Sequence, residues 1–310
     1  MTQYLYNEIS KIQKNLVYKI IIKENTKNTE EKYMIEKVIG TGATSVIYLA
    51  LDINENLVVI KSIKPKFKNY YENEIKTIDK LNSMYSEPDN DFFLKKYDNF
   101  YGSLNNKENY FIIYEYDENG IDIHNYMNKF IKINNDSNIE CCDFKYKEKI
   151  INGMCNCIDK LHKSGIIHFD IKPENFIISY YTDFIRIIII DFGNSYFIED
   201  IDKEDTFYNG ETGTICYTPP ELFSTSNKNN KNNKNNENSK NNNSTIGFYL
   251  NVNKAKYIDL WALGLSIYFV IFEKDPWNNI NQFRVGYLIS NGDFPCLKNI
   301  DDEIQKMEFF

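Results

Sequence analysis

Two short strings near the middle of the chain, HFDIKPEN and DFG, hold four side chains suited to phosphoryl chemistry: Asp170, Lys172, Asn175 and Asp191. An aspartate such as Asp170 can orient an attacking hydroxyl and accept its proton late in the reaction. Lys172 can neutralise the charge that develops on the transferring group. Asn175 and Asp191 offer the hard oxygen ligands that Mg²⁺ prefers. Their order and spacing predict phosphoryl transfer from a magnesium-bound nucleotide.

A glycine-rich stretch and a strand lysine precede these strings. In IGTGATSV, Gly40 and Gly42 allow the backbone to approach phosphates closely, although a GxG pattern alone fits a structural turn equally well. Lys61 ends the apolar run VVIK, so it faces inward from a strand and needs an anion. Nucleotide phosphates are one such anion. Glu74, on the next predicted helix, is the other.

Hydrophobic patterning predicts the elements that must position these residues. Alternating segments predict strands within residues 33–50, at 57–63 and at 110–116, and a three-to-four-residue period predicts a helix over 70–81. From about residue 122 the pattern becomes mainly helical, and 147–162 is the longest such segment. Strands first and helices later indicate an α+β fold, with a small β-rich lobe before a larger helical lobe.

Domain boundaries follow from the same patterns. Residues 1–32 are predicted to form a helical extension that either packs on the body or binds a partner. Residues 33–116 form the small lobe, and 117–310 form the large one. Within the latter, 224–246 is an asparagine- and lysine-rich run with almost no apolar residues. Such a run is predicted to be a disordered surface insertion, although its lysines could instead touch acidic partners.

Composition narrows the class of protein. The net charge of −8 over 310 residues argues against a nucleic-acid binder that neutralises phosphates. Six cysteines lack metal-site spacing, which predicts free thiols in a reducing compartment. The N-terminus has no apolar signal core, and the apolar run at 260–272 is too short for a membrane crossing. An intracellular, cytoplasmic location without a membrane partner is therefore expected, and the sequence does not indicate an oligomeric state.

Together with GTICYTPPE at 213–221 and DLWALG at 259–264, these motifs resemble the eukaryotic protein kinase family over roughly residues 33–295. The resemblance implies a bilobal kinase fold that binds ATP and Mg²⁺ between its lobes, and a protein substrate whose identity it does not give. Lys172 within KPEN is similar to serine/threonine kinases.

The resemblance also implies roles for individual residues. Catalysis would involve Asp170, Lys172, Lys61 and Glu74, and the metal ligands would be Asn175 and Asp191. The nucleotide would contact Gly40, Gly42, Ser45, Val46, Val59, Lys61, Glu115, Tyr116, Asp117 and Ile177, with Tyr114 as gatekeeper. Thr214 would bond near the catalytic aspartate, and Asp259 would brace the catalytic loop.

Several departures from the family pattern affect regulation. Phe169 replaces the arginine that commonly pairs with a phosphorylated activation loop, so activity independent of that phosphate is expected. Ser45 stands at the usual third glycine of the nucleotide loop. The chain ends at Phe310, before the usual last helices, so the large lobe is expected to be short at its end. The alternative to an active serine/threonine kinase is a weak or inactive pseudokinase that serves as a binding scaffold.

Overall fold

The computed structural model describes residues 20–24, 30–85, 91–136, 144–182, 184–204, 206–209, 213–223, 247–277 and 280–293. The chain divides into two compact units. The first unit comprises Met1–Glu118 and Asp191–Gly193, and the second comprises Asn119–Ile190 and Asn194–Phe310. The predicted insertion at 224–246 and the end of the chain after residue 293 lie outside the described residues.

The sheet of the first unit is an antiparallel barrel in the order β1-β2-β3-β4-β6-β5, closed by pairing of β1 with β5. Its strands are β1 (Ile20–Glu24), β2 (Glu30–Thr41), β3 (Ser45–Leu51), β4 (Leu57–Ile63), β5 (Lys96–Leu104) and β6 (Lys107–Glu115). Alternate residues face inward, and their core includes Ala50, Val58, Ile60, Phe111 and Ile113. The strands expected within 33–50, at 57–63 and at 110–116 are confirmed.

The strand β1 differs from the predicted helical extension. The predicted helical extension includes Ile20, yet Ile20 pairs with Met34 at the start of an antiparallel ladder. The physical reason is local, because three successive isoleucines, Ile20, Ile21 and Ile22, favour a strand. The rest of the predicted helix, residues 1–19, lies outside the described residues.

One helix, α1 (Lys68–Met84), accompanies this barrel. Its buried residues are Tyr71, Glu74, Thr77, Ile78 and Leu81, which recur at three- and four-residue steps. The stripe lies against β5 and β6. A carboxylate within an otherwise mainly apolar stripe must have a partner inside the unit.

The second unit combines helices with three small antiparallel sheets, in the orders β10-β9-β7, β11-β8 and β12-β13. Its strands are β7 (Gly120–Asp122), β8 (Ile166–Ile167), β9 (Phe176–Tyr180), β10 (Ile185–Ile189), β11 (Tyr196–Phe197), β12 (Thr206–Asn209) and β13 (Gly247–Leu250). Its helices are α2 (Ile123–Asp136), α3 (Phe144–Lys163), α4 (Pro220–Phe223), α5 (Val252–Phe272) and α6 (Gln282–Ser290). The α+β fold expected from the sequence is confirmed.

Helix α5 is the longest element of the second unit. Asn251 caps its start by accepting bonds from the backbone of Asn253 and Lys254, and the left-handed Glu273 ends it. Among the described residues it is the one helix that is long and apolar enough to cross a membrane, and half of that stretch is buried inside the structure. Asp259, on this helix, is fully buried and must therefore be bonded within the unit.

Candidate active site

Lys61 is the centre of an ion-pair network in the first unit. Its Nζ donates to Glu74 Oε2 at 2.5 Å and to Asp191 Oδ1 at 2.7 Å, and the residue is only 5% exposed. Burial alone would lower the pKa of Lys61, but the charges of Asp191 and Glu74 outweigh burial and raise it above its ordinary value. Lys61 is therefore a permanent cation between two carboxylates, as the apolar run before it indicated.

Tyr114 completes the environment of Glu74. Its hydroxyl donates to Glu74 Oε1 at 2.8 Å, so both carboxylate oxygens of Glu74 accept bonds from inside the unit. Burial, and then the charge of Glu74, raise the pKa of Tyr114 well above its ordinary value. The phenol stays a donor, and it satisfies an acid that would otherwise be costly to bury. Sequence reasoning gave Tyr114 only a gatekeeper position and missed this bond.

The glycine-rich stretch forms a tight turn between β2 and β3. Gly42 N–H donates to Ser45 O at 2.9 Å across the turn. Gly40 pairs with Ile47, and a Cβ at residue 40 would come within 3.3 Å of the Ile47 side chain. The backbone can therefore approach a ligand closely at this turn. Ser45, at the position of the missing third glycine, is buried.

The strand register corrects one predicted nucleotide contact. Val46 pairs with Ser62, whereas Ile47 pairs with Lys61. Because successive side chains on a strand point to opposite faces, Val46 lies on the face opposite Lys61, and Ile47 and Val59 share the face of Lys61. Val46 is therefore the wrong member of its pair, and the apolar contact expected from β3 moves to Ile47. The nucleotide contact expected of Val59 stays a prediction.

The three residues expected to contact adenine from the chain segment after β6 lie at the edge of the first unit. Glu115 ends β6, where its N–H donates to Lys95 O at 2.9 Å and its Oε1 accepts from Lys95 N at 3.2 Å. Tyr116 and Asp117 follow as irregular backbone. Backbone groups beyond the end of a strand can bond a planar ligand edge, and this role stays a prediction.

Asp170 is the centre of a second network, which lies in the second unit. Thr214 Oγ1 donates to Asp170 Oδ1 at 2.7 Å, and Lys172 Nζ donates to Asp170 Oδ2 at 2.9 Å. Lys172 Nζ also lies 2.9 Å from Thr214 Oγ1, which closes the triangle. Asp170 is 8% exposed, so its carboxylate is held in one orientation by two donors. The contact expected for Thr214 is confirmed.

Asn175 adjoins Asp170 through its amide nitrogen. Asn175 Nδ2 donates to Asp170 O at 2.7 Å, and the Asn175 backbone carbonyl accepts from Ile190 N at 2.9 Å. The first bond uses the nitrogen of the side-chain amide, and the oxygen of that amide is the atom that suits a metal. Ile177, on the next strand, pairs with Ile188 and Asp122.

The donor set fits magnesium rather than a metal held by protein alone. Within the described ranges, no three His, Cys, Asp or Glu side chains lie close enough to hold a metal ion. Magnesium is usually bound through one or two carboxylates, substrate phosphates and retained waters. Asp191 in the first unit offers one such carboxylate, and Asn175 in the second unit offers an amide oxygen of the kind that Mg²⁺ accepts; their roles as metal ligands stay predictions.

Asp259 braces the backbone around Asp170 from helix α5. Its Oδ2 accepts from His168 N at 2.8 Å, its Oδ1 accepts from Phe169 N at 2.9 Å, and His162 Nε2 lies 2.9 Å from Oδ2. The bracing contact expected for Asp259 is confirmed. The His168 ring bonds Ile190 O at 3.0 Å, so it is a packed and hydrogen-bonded residue.

Phe169 lies in an apolar cluster of the second unit. Its ring centroid is 4.7 Å from that of Tyr196, and the cluster also includes Ile201, Leu222, Leu250 and Ile258. Its φ of +67° is left-handed, and the bond from Phe169 N to Asp259 stabilises this conformation. Gly213 lies against the same backbone, because a Cβ there would overlap Phe169 O.

The structure thus brings together Lys61, Glu74 and Asp191 in the first unit, and Asp170, Lys172 and Asn175 in the second. Three features together define the protein kinase class. They are the buried lysine between two acids, the aspartate held by a lysine and a threonine, and the α+β fold of two units.

Comparison with known proteins identifies the family. Residues 33–236, well over half of the chain, match the family described as "Protein kinase domain", so the chain belongs to the protein kinase family. It is 28% identical to "Probable serine/threonine-protein kinase fhkA" of Dictyostelium discoideum, across 80% of this chain and 39% of the relative. It is 23% identical to "Serine/threonine-protein kinase ppk34" of Schizosaccharomyces pombe, across 80% of this chain and 68% of the relative.

A third relative extends the range of organisms. The chain is 25% identical to "3-phosphoinositide-dependent protein kinase 1" of Rattus norvegicus, across 84% of this chain and 38% of the relative. The chain thus spans well under two thirds of the length of several curated relatives that it matches. Their identities are low, and the printed names of all three describe protein kinases, two of them serine/threonine-protein kinases.

Proposed function

We propose that this chain is an active serine/threonine protein kinase that transfers the γ-phosphate of ATP to a protein hydroxyl. The observation that carries the proposal is the Asp170 carboxylate, held at one oxygen by Thr214 and at the other by Lys172. A scaffold without catalysis has no need to orient a carboxylate in this way. The runner-up, an inactive pseudokinase, rests mainly on Ser45 in place of the third glycine of the nucleotide loop.

The residues of the first unit bind the nucleotide in this proposal. Lys61 offers a buried cation to the phosphates, and Glu74 keeps that cation in place. The turn at Gly40 and Gly42, between β2 and β3, would let the backbone approach the phosphates closely. Asp191 of this unit would hold Mg²⁺, and the ion would supply charge neutralisation for the transferring phosphoryl group; Asn175, in the second unit, is the other proposed metal ligand.

The residues of the second unit act on the hydroxyl. Asp170 orients the attacking hydroxyl and accepts its proton late, because an aspartate is a weak base and the hydroxyl proton becomes acidic only as the bond to phosphorus forms. Lys172, 2.9 Å from Asp170 Oδ2, is positioned to neutralise negative charge on the phosphoryl group. Thr214 fixes the carboxylate, so little reorganisation is needed during the reaction.

Activity independent of activation-loop phosphorylation is part of this proposal. A phosphate in that loop orders a kinase by pairing with an arginine, and Phe169 offers no cation. The apolar cluster around Phe169 supports an alternative anchor, since Tyr196, Ile198 and Ile201 of the segment after DFG pack into it. An intracellular protein substrate, and a cytoplasmic location of the enzyme, also belong to the proposal.

The test is phosphoryl transfer by purified protein from labelled ATP to a generic protein substrate, with and without magnesium. Lys61→Met and Asp191→Ala are expected to lower the rate by at least about three orders of magnitude while circular dichroism shows that the fold stays intact. Lys37→Met is the matched control, because Lys37 is exposed on strand β2. Phosphoamino-acid analysis of the product should give serine or threonine.

Two outcomes would contradict the proposal. Wild-type turnover in the Asp191→Ala variant would show that the metal assignment is wrong. Nucleotide binding by a wild-type protein that never transfers phosphate under any tested condition would favour the pseudokinase alternative.

A further inference from the structure

Tyr70 approaches the predicted metal ligand from helix α1 and has no role in the function proposed so far. It lies one helical turn before Glu74, and its hydroxyl donates to Asp191 Oδ1. The same oxygen accepts from Lys61, whose Nζ lies 5.0 Å from the centroid of the Tyr70 ring. Tyr70 therefore contacts both the cation and the acid at the centre of the first unit.

The ring of Tyr70 fills the space where a side chain at residue 193 would be. A Cβ added to Gly193 would overlap ring atoms of Tyr70. The backbone at Gly193 is not left-handed, so its φ does not demand glycine. The absence of a side chain at Gly193 therefore serves the fit of the Tyr70 ring.

A second bond from the same helix holds the same segment. Asn73 Nδ2 donates to Gly193 O at 2.9 Å, and the ring of the intervening Phe192 packs on Phe93 at 6.1 Å. Asp191 itself has a left-handed φ of +74°, which is unfavourable for a residue with a Cβ. A residue in that conformation stays there only when its surroundings hold it.

We propose that Tyr70 is a positioning residue, which holds the Asp191 carboxylate in the orientation that binds a metal–nucleotide complex. The inference rests on the proposed function, because it assigns the metal to Asp191. The hydroxyl fixes the carboxylate, and the ring fixes the backbone at Gly193. Asn73 supports the same segment from the next turn of α1.

The first test replaces Tyr70 by Phe, which keeps the ring and removes the hydroxyl. The Mg²⁺ concentration for half-maximal binding of a fluorescent ATP analogue is expected to rise about tenfold, since a bond to a charged group is lost. The KM for ATP should rise more than kcat falls, and the melting temperature should stay unchanged. Tyr71→Phe is the matched control, because the Tyr71 hydroxyl bonds Asn99 at 3.1 Å instead.

The second test is a double-mutant cycle on the fit between ring and glycine, measured as urea unfolding of the protein without nucleotide. Gly193→Ala is expected to raise the unfolding equilibrium constant by about tenfold or more in the wild type, and by less than about twofold beside Tyr70→Ala. A Gly193→Ala protein that folds only in the Tyr70→Ala background supports the fit equally. Equal losses of stability from Gly193→Ala in the two backgrounds, or failure of Gly193→Ala to fold in both, would overturn the proposed fit.

The two proposals can fail separately. A wild-type protein that binds no nucleotide at any Mg²⁺ concentration overturns the proposed function, and the assignment to Tyr70 with it. Normal binding by the wild type, with the same or a lower Mg²⁺ requirement in Tyr70→Phe, overturns the inference alone.

Discussion

At the scale of single residues, the buried side chain of Asp259 shows how one carboxylate can fix several neighbours. One buried carboxylate accepts from the backbone of His168 and Phe169 and bonds the ring of His162. These contacts fix the two residues that precede Asp170. The position of the proposed base therefore depends on a side chain that does not touch any substrate.

Replacing Asp259 by Asn should lower the free energy of unfolding by about 2 kcal/mol, because an amide offers one acceptor oxygen where two are used. Urea unfolding followed by circular dichroism measures the change. Asp159→Asn is the control, since Asp159 forms an exposed pair with Lys163 that contributes little. Equal stability of Asp259→Asn and the wild type would contradict the bracing role.

Only part of the site could be predicted residue by residue. Lys61 and Glu74 could be predicted as partners, because a lysine at the end of an apolar strand needs a buried anion and the next helix carries a carboxylate. Ile47 was missed in favour of Val46, since only the strand register decides which of two neighbours shares the face of Lys61. Tyr70 was missed because a lone tyrosine on a helix carries no motif.

At the level of elements, the apolar cluster around Phe169 joins parts of the second unit that are far apart in sequence. Tyr196 and Ile201 come from the segment after DFG, Leu222 from α4 and Leu250 from β13. Strand β12 pairs with β13 in register from Thr206 to Asn209. Packing and backbone pairing thus both act on this segment.

Phe169→Ala should lower the free energy of unfolding of the second unit by about 3–5 kcal/mol, because it removes a buried ring from a packed cluster. Phe169→Leu keeps most of the volume and should cost about 1–2 kcal/mol. Denaturant unfolding of both variants gives the comparison. If alanine costs no more than leucine, the ring does not anchor the segment.

The double variant Thr206→Ala, Thr212→Ala should keep transfer activity within about threefold of the wild type, because residue 169 is not a cation for a phosphate. Thr214→Ala is the matched threonine control and should lose activity, since Thr214 bonds Asp170. The measurement is the initial rate with a protein substrate. A loss of about two orders of magnitude in the double variant would refute phosphate independence.

Elements with a strong period could be predicted, and those formed by distant pairing could not. The strand at 57–63 and the long helix at 144–163 have clear patterns in the sequence. The pairing of β12 with β13 was missed, because the asparagine-rich run separates the two short strands in sequence. Neither strand has a sequence pattern that indicates which strand it pairs with.

For the whole molecule, buried and half-buried tyrosines contribute to the response of stability to alkaline pH. Burial raises the pKa of Tyr48, Tyr71 and Tyr114 in the first unit and of Tyr217 in the second above the ordinary value of 10.0. The folded chain holds these protons more tightly than the unfolded chain does, so unfolding releases protons at high pH.

The contribution of these tyrosines to the free energy of unfolding should therefore be fully present below about pH 10 and should fall as the pH rises further. Tyr114→Phe should show a smaller fall between pH 8 and pH 11 than the wild type, because one buried phenol no longer ionises. Tyr97→Phe, at an exposed position, should fall like the wild type. Urea unfolding at the two pH values measures this, and identical falls in all three proteins would refute it.

The general architecture could be predicted because strand-rich and helix-rich segments occupy separate stretches of the sequence. The division found between Glu118 and Asn119 lies close to the expected lobe boundary at 116/117. The inclusion of Asp191–Gly193 in the first unit could not be predicted, since it depends on contacts with Tyr70 and Asn73.

In the kinase proposed above, Phe169 would also affect how the enzyme is controlled. An anchor made of carbon atoms is beyond the reach of phosphatases, so dephosphorylation of this loop would not switch the enzyme off. Its output in a cell would then follow from how much protein is made, where it resides and which substrates it meets.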